Sequence, residues 1–342
     1  MAKWNFSRKG WVLALIIVAA VAFIRLPYYV SYPGMAKELD PIIEVTDGYE
    51  EEGAFMLTTV RMGQANILQY VWAKFNKYQH LYPEEVIRPE GETDDEYMNR
   101  QLHMMDSSKE AAMVVAYNQA GKEVNIEYNG VYVMGTIEGM PAEEILQAGD
   151  RIHMLDGKQF DSSEQMIEQV SGMEPGEEVA ITIERKGKEM TVDVPLAKFP
   201  DNPEKTGMGI SLVTDRAVTV DPEVTIKTDE IGGPSAGLMF SLEIYNQLTD
   251  TDYTKGYEIA GTGSIDYDGN VGPIGGIQQK IVAADKAGAD VFFAPNENGE
   301  KDSNYELAVK AAEDIDTEMR IVPVDTFSDA LDFLKTLEQK KA

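Results

Sequence analysis

The sequence predicts an α+β protein in which a mixed α/β domain is interrupted by a smaller β-rich module and preceded by an apolar amino-terminal helix. Three observations carry this. An apolar run follows a basic start, the middle of the chain breaks into short apolar strands separated by Gly-containing turns, and the carboxy-terminal half alternates strand-like and helix-like stretches. The 342 residues allow about two domains beside the first helix.

Lys3, Arg8 and Lys9 precede the uninterrupted apolar run Trp11 to Ile24, and no acidic residue appears before Glu38. Such a pattern makes a signal peptide or a single membrane anchor. We assign residues 1–9 as a cytoplasmic amino terminus and 10–30 as a transmembrane signal anchor. The run alone is short of the roughly 20 residues that span a bilayer, but Leu26 to Val30 extend it, Arg25 can snorkel, and Tyr28 and Tyr29 suit the interface. Cleavage after Ala20-Val21-Ala22, a small-x-small site, is the alternative. Either way the remainder is expected outside the cytoplasm, tethered to the cell membrane or released from it.

Residues 31–120 open the larger domain: strand-like Ile42 to Val45 and Gly53 to Val60, then helical stretches from Ala65 to Tyr78 and from Glu96 to Asn118. Residues 121–197 form the β-rich module. Its strands are read at Val124 to Ile126, Val131 to Met134, Arg151 to Leu155 and Val179 to Arg185, with turns at Asp156-Gly157 and Lys186-Gly187 and a helix from Ser162 to Val170. Residues 198–342 complete the larger domain, with strands at Val291 to Ala294 and Arg320 to Val324 and helices at Tyr305 to Ala312 and Phe327 to Leu337. Thr326 and Asp329 form a capping pair for the last helix.

Two motifs carry chemistry. Gly232-Gly233-Pro234-Ser235-Ala236-Gly237 is followed, 45 positions after its serine, by Lys280 within Gly275-Gly276-Ile277-Gln278-Gln279-Lys280. A serine hydroxyl is a poor nucleophile at neutral pH, and a buried lysine that has lost its proton is one of the few side chains able to activate it. Pro234 suits a first helical turn, so Ser235 is expected at a helix N-terminus, where the N–H groups of Gly233 and Ala236 can hold an oxyanion. Leu238, Leu242 and Tyr245 give that helix an apolar stripe; Ile277, Ile281 and Ala284 do the same for the second, which Gly288 can end. To serve as base, Lys280 would need its pKa lowered from about 10.4 toward roughly 7 to 8.

At these residues the segment from about Thr228 to Pro295 resembles the proteolytic domain of the Lon family of serine-lysine peptidases. The resemblance implies Ser235 as nucleophile, Lys280 as base and Thr262, in Gly261-Thr262-Gly263-Ser264-Ile265, as the hydroxyl that orients the lysine. Many Lon proteins carry an acidic residue three positions before the serine; here that position is Gly232, with Asp229 and Glu230 earlier. The stretch from about Val124 to Leu196 resembles a PDZ domain, on Gly139-Met140-Pro141-Ala142-Glu143, Leu146 to Ile152, Asp156-Gly157 and the helix from Ser162. PDZ domains take an extended peptide as an added strand, and Asn129-Gly130-Val131-Tyr132 is the expected peptide-binding loop. A β-rich domain that only packs against the protease is the alternative.

The whole chain resembles the membrane-anchored, PDZ-containing Lon-like peptidases of Gram-positive bacteria, some of which trim signalling pheromones. The implied activity is serine endopeptidase cleavage of extracellular peptides or exposed protein segments. No G-x-x-x-x-G-K-[ST] sequence occurs, so no ATPase is expected and cleavage should not need ATP. The rival class is a membrane-tethered PDZ scaffold with an inactive core. Lon-like domains often form rings, so a homo-oligomer is an expectation of the resemblance.

Composition narrows the remaining classes. Cysteine is absent, which removes disulfides, thiolate metal sites and Cys nucleophiles. His80, His103 and His153 are far apart and form no metal spacing, so neither a metal nor a cofactor is expected. The net charge of −29 argues against binding nucleic acid or anionic lipid headgroups through the soluble part.

Overall fold

The computed structural model describes residues 23–88, 92, 94–160, 162–200, 202–228 and 231–341. The cytoplasmic residues 1–9 and the part of the expected 10–30 anchor before residue 23 therefore fall outside the described residues, as do Asp229 and Glu230. Among the described residues no helix is long and apolar enough to cross a membrane. The extension of the span through Leu26 to Val30 is corrected: these residues begin the strand Arg25–Glu38. Tyr29 and Val30 pair with Gln64 and Gly63 on one side and with Tyr82 and Leu81 on the other. Their backbone groups are thus committed to a sheet, and any apolar span must end by Ile24.

The described chain forms two compact units, residues 1–123 with 221–342, and residues 124–220. The first is built on a six-stranded mixed sheet in the order Arg320–Val324, Val291–Pro295, Glu258–Gly261, Ala54–Asn66, Arg25–Glu38, His80–Pro83. The first four run parallel, the last two pairings are antiparallel. The inner parallel strand Val291–Pro295 reads as a continuous apolar run and is buried along its whole length, whereas the outer Arg320–Val324 keeps Arg320 and Pro323 exposed. On one face lie Ile277–Ala287 and Asn304–Asp314, whose Ile277, Ile281, Ala284, Ala308 and Ala311 pack with Met56, Ala260 and Phe292. Thr326 and Asp329 make the expected capping box on Phe327–Thr336.

Two elements differ from expectation. The helix read at Ala65 to Tyr78 is only Ile67–Ala73, capped by Asn66 and Gln69, and the chain then turns into the strand His80–Pro83. The helix after the serine, Gly237–Leu248, is buried on every side, including Glu243, Asn246 and Gln247, rather than along one stripe. It is wedged against Ala54–Asn66, Ile43–Val45 and the long helix Asp94–Gln119, which leaves no solvated face.

The second unit is a β-sheet of Ile210–Val220, Val124–Thr136, Arg151–Leu155, Glu178–Arg185 and Lys188–Pro195, in that order, with Lys158–Gln159 paired to Arg151–Leu155. The helix Ser163–Ser171, capped by Ser162, buries Met166 and Val170 against Val131, Val133, Ile152, Ile181 and Ile183. The unit reaches Val220 rather than residue 197 because Ile210–Val220 pairs with Val124–Thr136 along nearly its full length. A strand supplied from beyond the expected boundary closes this core.

Candidate active site

Ser235 sits in the turn that enters Gly237–Leu248, two residues before the helix proper, and is half-buried. Its carbonyl is pinned twice: the Thr262 hydroxyl donates to it at 2.8 Å and the Gly263 N–H at 2.9 Å. Ser108 on the helix Asp94–Gln119 donates to the Pro234 carbonyl at 3.1 Å. The turn is therefore held from both sides, which fixes the Oγ position without using the Oγ itself.

Lys280 is the fourth residue of Ile277–Ala287. That helix starts from Gly276 at φ +72°, where a side chain would also meet Val60 Cγ2 at 2.7 Å, so glycine is required on both counts. The helix brings the ammonium-bearing arm of Lys280 under the serine turn, where only 2% of the residue is exposed. Its Nζ lies 2.9 Å from Ser235 Oγ, 3.0 Å from Thr262 Oγ1 and 2.8 Å from the Thr58 carbonyl. Among the described residues no carboxylate pairs with it. Burial without a counter-charge lowers its pKa to about 7.

Hydrogen-bond stoichiometry accommodates both states, since an ammonium can donate to all three oxygens and a neutral amine to two of them. The Thr58 carbonyl can only accept, and the Thr262 hydroxyl has spent its proton on the Ser235 carbonyl, so it too accepts from Lys280. Those two contacts use both N–H groups of a neutral amine. Its lone pair is then left for the proton of Ser235 Oγ. The structure thus brings together Ser235, Thr262 and Lys280, and adds Thr58, which sequence reading missed because it acts through a backbone carbonyl that any residue carries.

The expected oxyanion donors divide. Gly233 is corrected: its N–H already donates to the Gln101 carbonyl at 2.8 Å, so it faces the helix Asp94–Gln119 and not a substrate. The N–H groups of Ser235 and Ala236 have no backbone acceptor among the described residues, and both lie at the free N-terminus of Gly237–Leu248. Ala236 keeps its expected position and Ser235 takes the place of Gly233.

Asn129-Gly130-Val131-Tyr132 is not a loop. These residues lie within the strand Val124–Thr136, paired to Ile210–Val220 on one side and, at Val131 and Tyr132, to Arg151–Leu155 on the other. Gly130, at φ +114°, sits in a bulge where a side chain would strike the Ile152 carbonyl at 2.3 Å. The peptide-sized groove lies elsewhere. A cavity of about 600 Å³ runs between the helix Ser163–Ser171 (Met166, Ile167, Val170) and the segment through Gly207, Met208, Gly209 and Ile210. Ile210–Val220 is the outer strand of its sheet, so its free edge borders this groove. The alternation Gly207-Met208-Gly209-Ile210 was the available signal, hidden because it lies past residue 197.

The described residues hold no group of three or more His, Asp or Glu arranged to bind a metal ion. Replacing Thr262 by Val should lower kcat/KM for a peptide by about 10- to 100-fold, the scale of a lost catalytic hydrogen bond, whereas Thr262→Ser should restore most of it. Equal rates for Val and Ser variants would show that the hydroxyl does not matter.

Two segments of the chain match known families, with bounds that differ from those of the two compact units. Residues 204–336 match the profile of the Lon protease (S16) C-terminal proteolytic domain, and residues 105–196 match that of the PDZ domain. The Lon protease of Campylobacter concisus is 37% identical over 110 residues, covering 32% of this chain and 12% of that protein. The Lon protease of Campylobacter jejuni is 38% identical over 105 residues, covering 30% and 12%. The chain thus spans about an eighth of the length of these relatives. A solved PDZ domain of an SdrC-like protein from Listeria monocytogenes is 33% identical, with 26% of this chain and 93% of that one covered and a TM-score of 0.24. The chain thus carries a segment that matches the PDZ domain and a segment that matches the Lon (S16) C-terminal proteolytic domain.

Proposed function

We propose that the protein is an ATP-independent serine endopeptidase, anchored in the cell membrane by its amino-terminal segment, that cleaves extracytoplasmic peptides or exposed protein segments with a Ser235–Lys280 dyad. The observation that carries this is the buried Lys280 Nζ, 2.9 Å from Ser235 Oγ, with its pKa lowered to about 7 by burial. Near neutral pH a large share of Lys280 is then unprotonated and able to accept the Oγ proton.

In the forward step Ser235 Oγ bonds to the scissile carbonyl carbon as its proton passes to Nζ, and the N–H groups of Ser235 and Ala236 receive the oxyanion. The new ammonium is met by the Thr58 carbonyl and Thr262 Oγ1, which accept from it in either state. Lys280 returns the proton to the departing amine. Water, deprotonated by Lys280 in turn, then attacks the ester and frees Ser235 with the proton returned to Oγ. Incubating the full chain with a diverse peptide mixture without ATP, beside Ser235→Ala, tests this by mass spectrometry. Products from the wild type alone support the peptidase; none from either, with Ser235 inert to an acylating probe, favours a PDZ scaffold with an inactive core.

The groove of the second unit supports a role in substrate choice. An extended peptide can add to the free edge of Ile210–Val220 and rest side chains on Ile167, which is 56% exposed in the groove. Ile167→Glu should therefore alter which peptides of the mixture are cut, through KM, while kcat for a short unselected peptide stays within about twofold. Identical product spectra would leave this unit without a role in selection.

A further inference from the structure

The acidic residues of this chain are unevenly placed. Aspartate and glutamate number 59 of 342, yet none occurs in residues 1–37 or 53–83. At the average density those stretches would hold about a dozen, so the gap is a charge pattern and not a fluctuation of a neutral sequence. The described parts of the two stretches meet in the fold. Arg25–Glu38 pairs with Ala54–Asn66 on one side and His80–Pro83 on the other, and Ile67–Ala73 packs against the same sheet.

This end, whose own two stretches carry no carboxylate although Asp314 pairs with Lys77 and Glu84 and Glu85 follow Pro83, also carries a large apolar exposure. Trp72 is 65% exposed and Phe75 86%, with Leu68 and Val71 about half exposed beside them. Together with Val30 and Tyr32 they line an open apolar groove of about 640 Å³. Phe23 and Ile24, where the apolar amino-terminal run enters the described chain, are exposed as well. Cations flank the patch: Lys74 lies over the Tyr70 ring at 4.7 Å, Arg25 and Arg61 lie on the two paired strands, and Lys77 pairs with Asp314. A short helix with an outward Leu-Val-Trp face, flanking lysines and no acid has the composition of a segment that lies in a membrane interface.

We infer that the face formed by Leu68, Val71, Trp72 and Phe75 rests on the anionic surface of the bilayer that holds the amino-terminal anchor. The inference rests on the anchored reading and extends it, since it fixes how the protease unit faces the membrane. A repulsive surface of net charge −29 would otherwise be driven away from anionic lipid, and the acid-poor end, where Lys74, Arg25 and Arg61 stand against Asp314, Glu84 and Glu85, is a part able to approach it. The same strand that leads into the patch carries Thr58, eight residues before its end at Asn66. At about 3.4 Å per residue this places the Lys280 site within about 30 Å of the lipid. Chain segments emerging from the bilayer are then within reach of Ser235.

Trp4 and Trp11 are the only tryptophans besides Trp72, so the full chain with Trp4→Phe and Trp11→Phe makes Trp72 a single reporter. Reconstituted into phosphatidylglycerol-containing vesicles with brominated acyl chains, Trp72 should emit at shorter wavelength than in a Phe75→Glu, Val71→Glu variant. It should also be quenched at least about twofold more than in that variant, since bromine acts only at contact depth in the interface. Protein that floats with the vesicles but shows no bromine quenching overturns the docked face, whether Trp72 stays in water or is covered by a second copy. Protein that does not float overturns the anchor, and the docked face with it.

Discussion

Lys280→Ala and Ser235→Ala should each abolish peptide cleavage, by about 10³-fold or more in kcat/KM, while the near-ultraviolet circular dichroism of the fold persists. The magnitude follows from removing a nucleophile or its only base, which in a unit that acts together costs nearly as much singly as jointly. Lys280→Arg is the sharper variant. It keeps length and burial but stays protonated, so it should be as inactive as alanine despite conserving charge. The pH profile carries the same logic. Lys280 acts unprotonated, and burial lowers its pKa to about 7, so kcat/KM should rise with pH through about 7 and level off above it. A rate flat from pH 5.5 to 8.5, or cleavage retained by Lys280→Arg, would remove Lys280 as the base.

Much of this site was legible because its chemistry is local. Gly232 to Gly237 and Gly275 to Lys280 each place a reactive side chain at the start of a helix, and helix starts announce themselves through Pro and Gly. Helix and strand alternation after Val291 was legible for the same reason: each element satisfies its own period. What failed were features decided by partners distant in sequence. Thr58 reaches Lys280 across 222 positions through a carbonyl, and the Gly233 N–H is claimed by Gln101 on a helix more than a hundred residues earlier. Neither interaction leaves a residue preference at the position that makes it.

The strand errors have one cause as well. Asn129 to Tyr132 contains a glycine that looks like loop chemistry, but Gly130 is there to let the chain bulge past the Ile152 carbonyl. The segment that closes the groove, Gly207 to Leu212, lies beyond the last residue assigned to that unit, because a strand pairing across 80 or so residues has no local marker. Leu26 to Val30 looked like the tail of an apolar span for a related reason. An apolar strand buried between two others and an apolar helix in lipid have the same composition, and only the partners distinguish them.

Glu243→Gln should stabilise the protein at pH 8, an unusual outcome for a polar residue in the middle of a buried helix. Glu243 is fully buried in Gly237–Leu248, two turns beyond Ser235, and Gln247 donates to one of its oxygens at 2.5 Å. Across from it Asn246 donates to Glu51 at 2.8 Å. One oxygen of each carboxyl, Glu51 Oε1 and Glu243 Oε2, is left buried without a partner. Burial pushes both carboxyls well above the usual range; Glu243, Asp252 and Asp40 push Glu51 further, and Asp40 acts on Glu243. A proton shared by the pair would turn one orphaned acceptor into a donor for the other. For a carboxyl whose folded pKa is raised, the native state binds more protons than the unfolded chain, so stability falls as pH climbs from about 4.5 through the folded value. The amide carries no such charge. Thermal unfolding of the full chain should therefore show the variant about 2 °C or more above wild type at pH 8 and little changed at pH 5, the effect of at least one unit of pKa in a chain of this size. If Glu243→Gln lowers Tm equally at both pH values, the pair is held ionised by another group and the orphaned oxygens have a different partner.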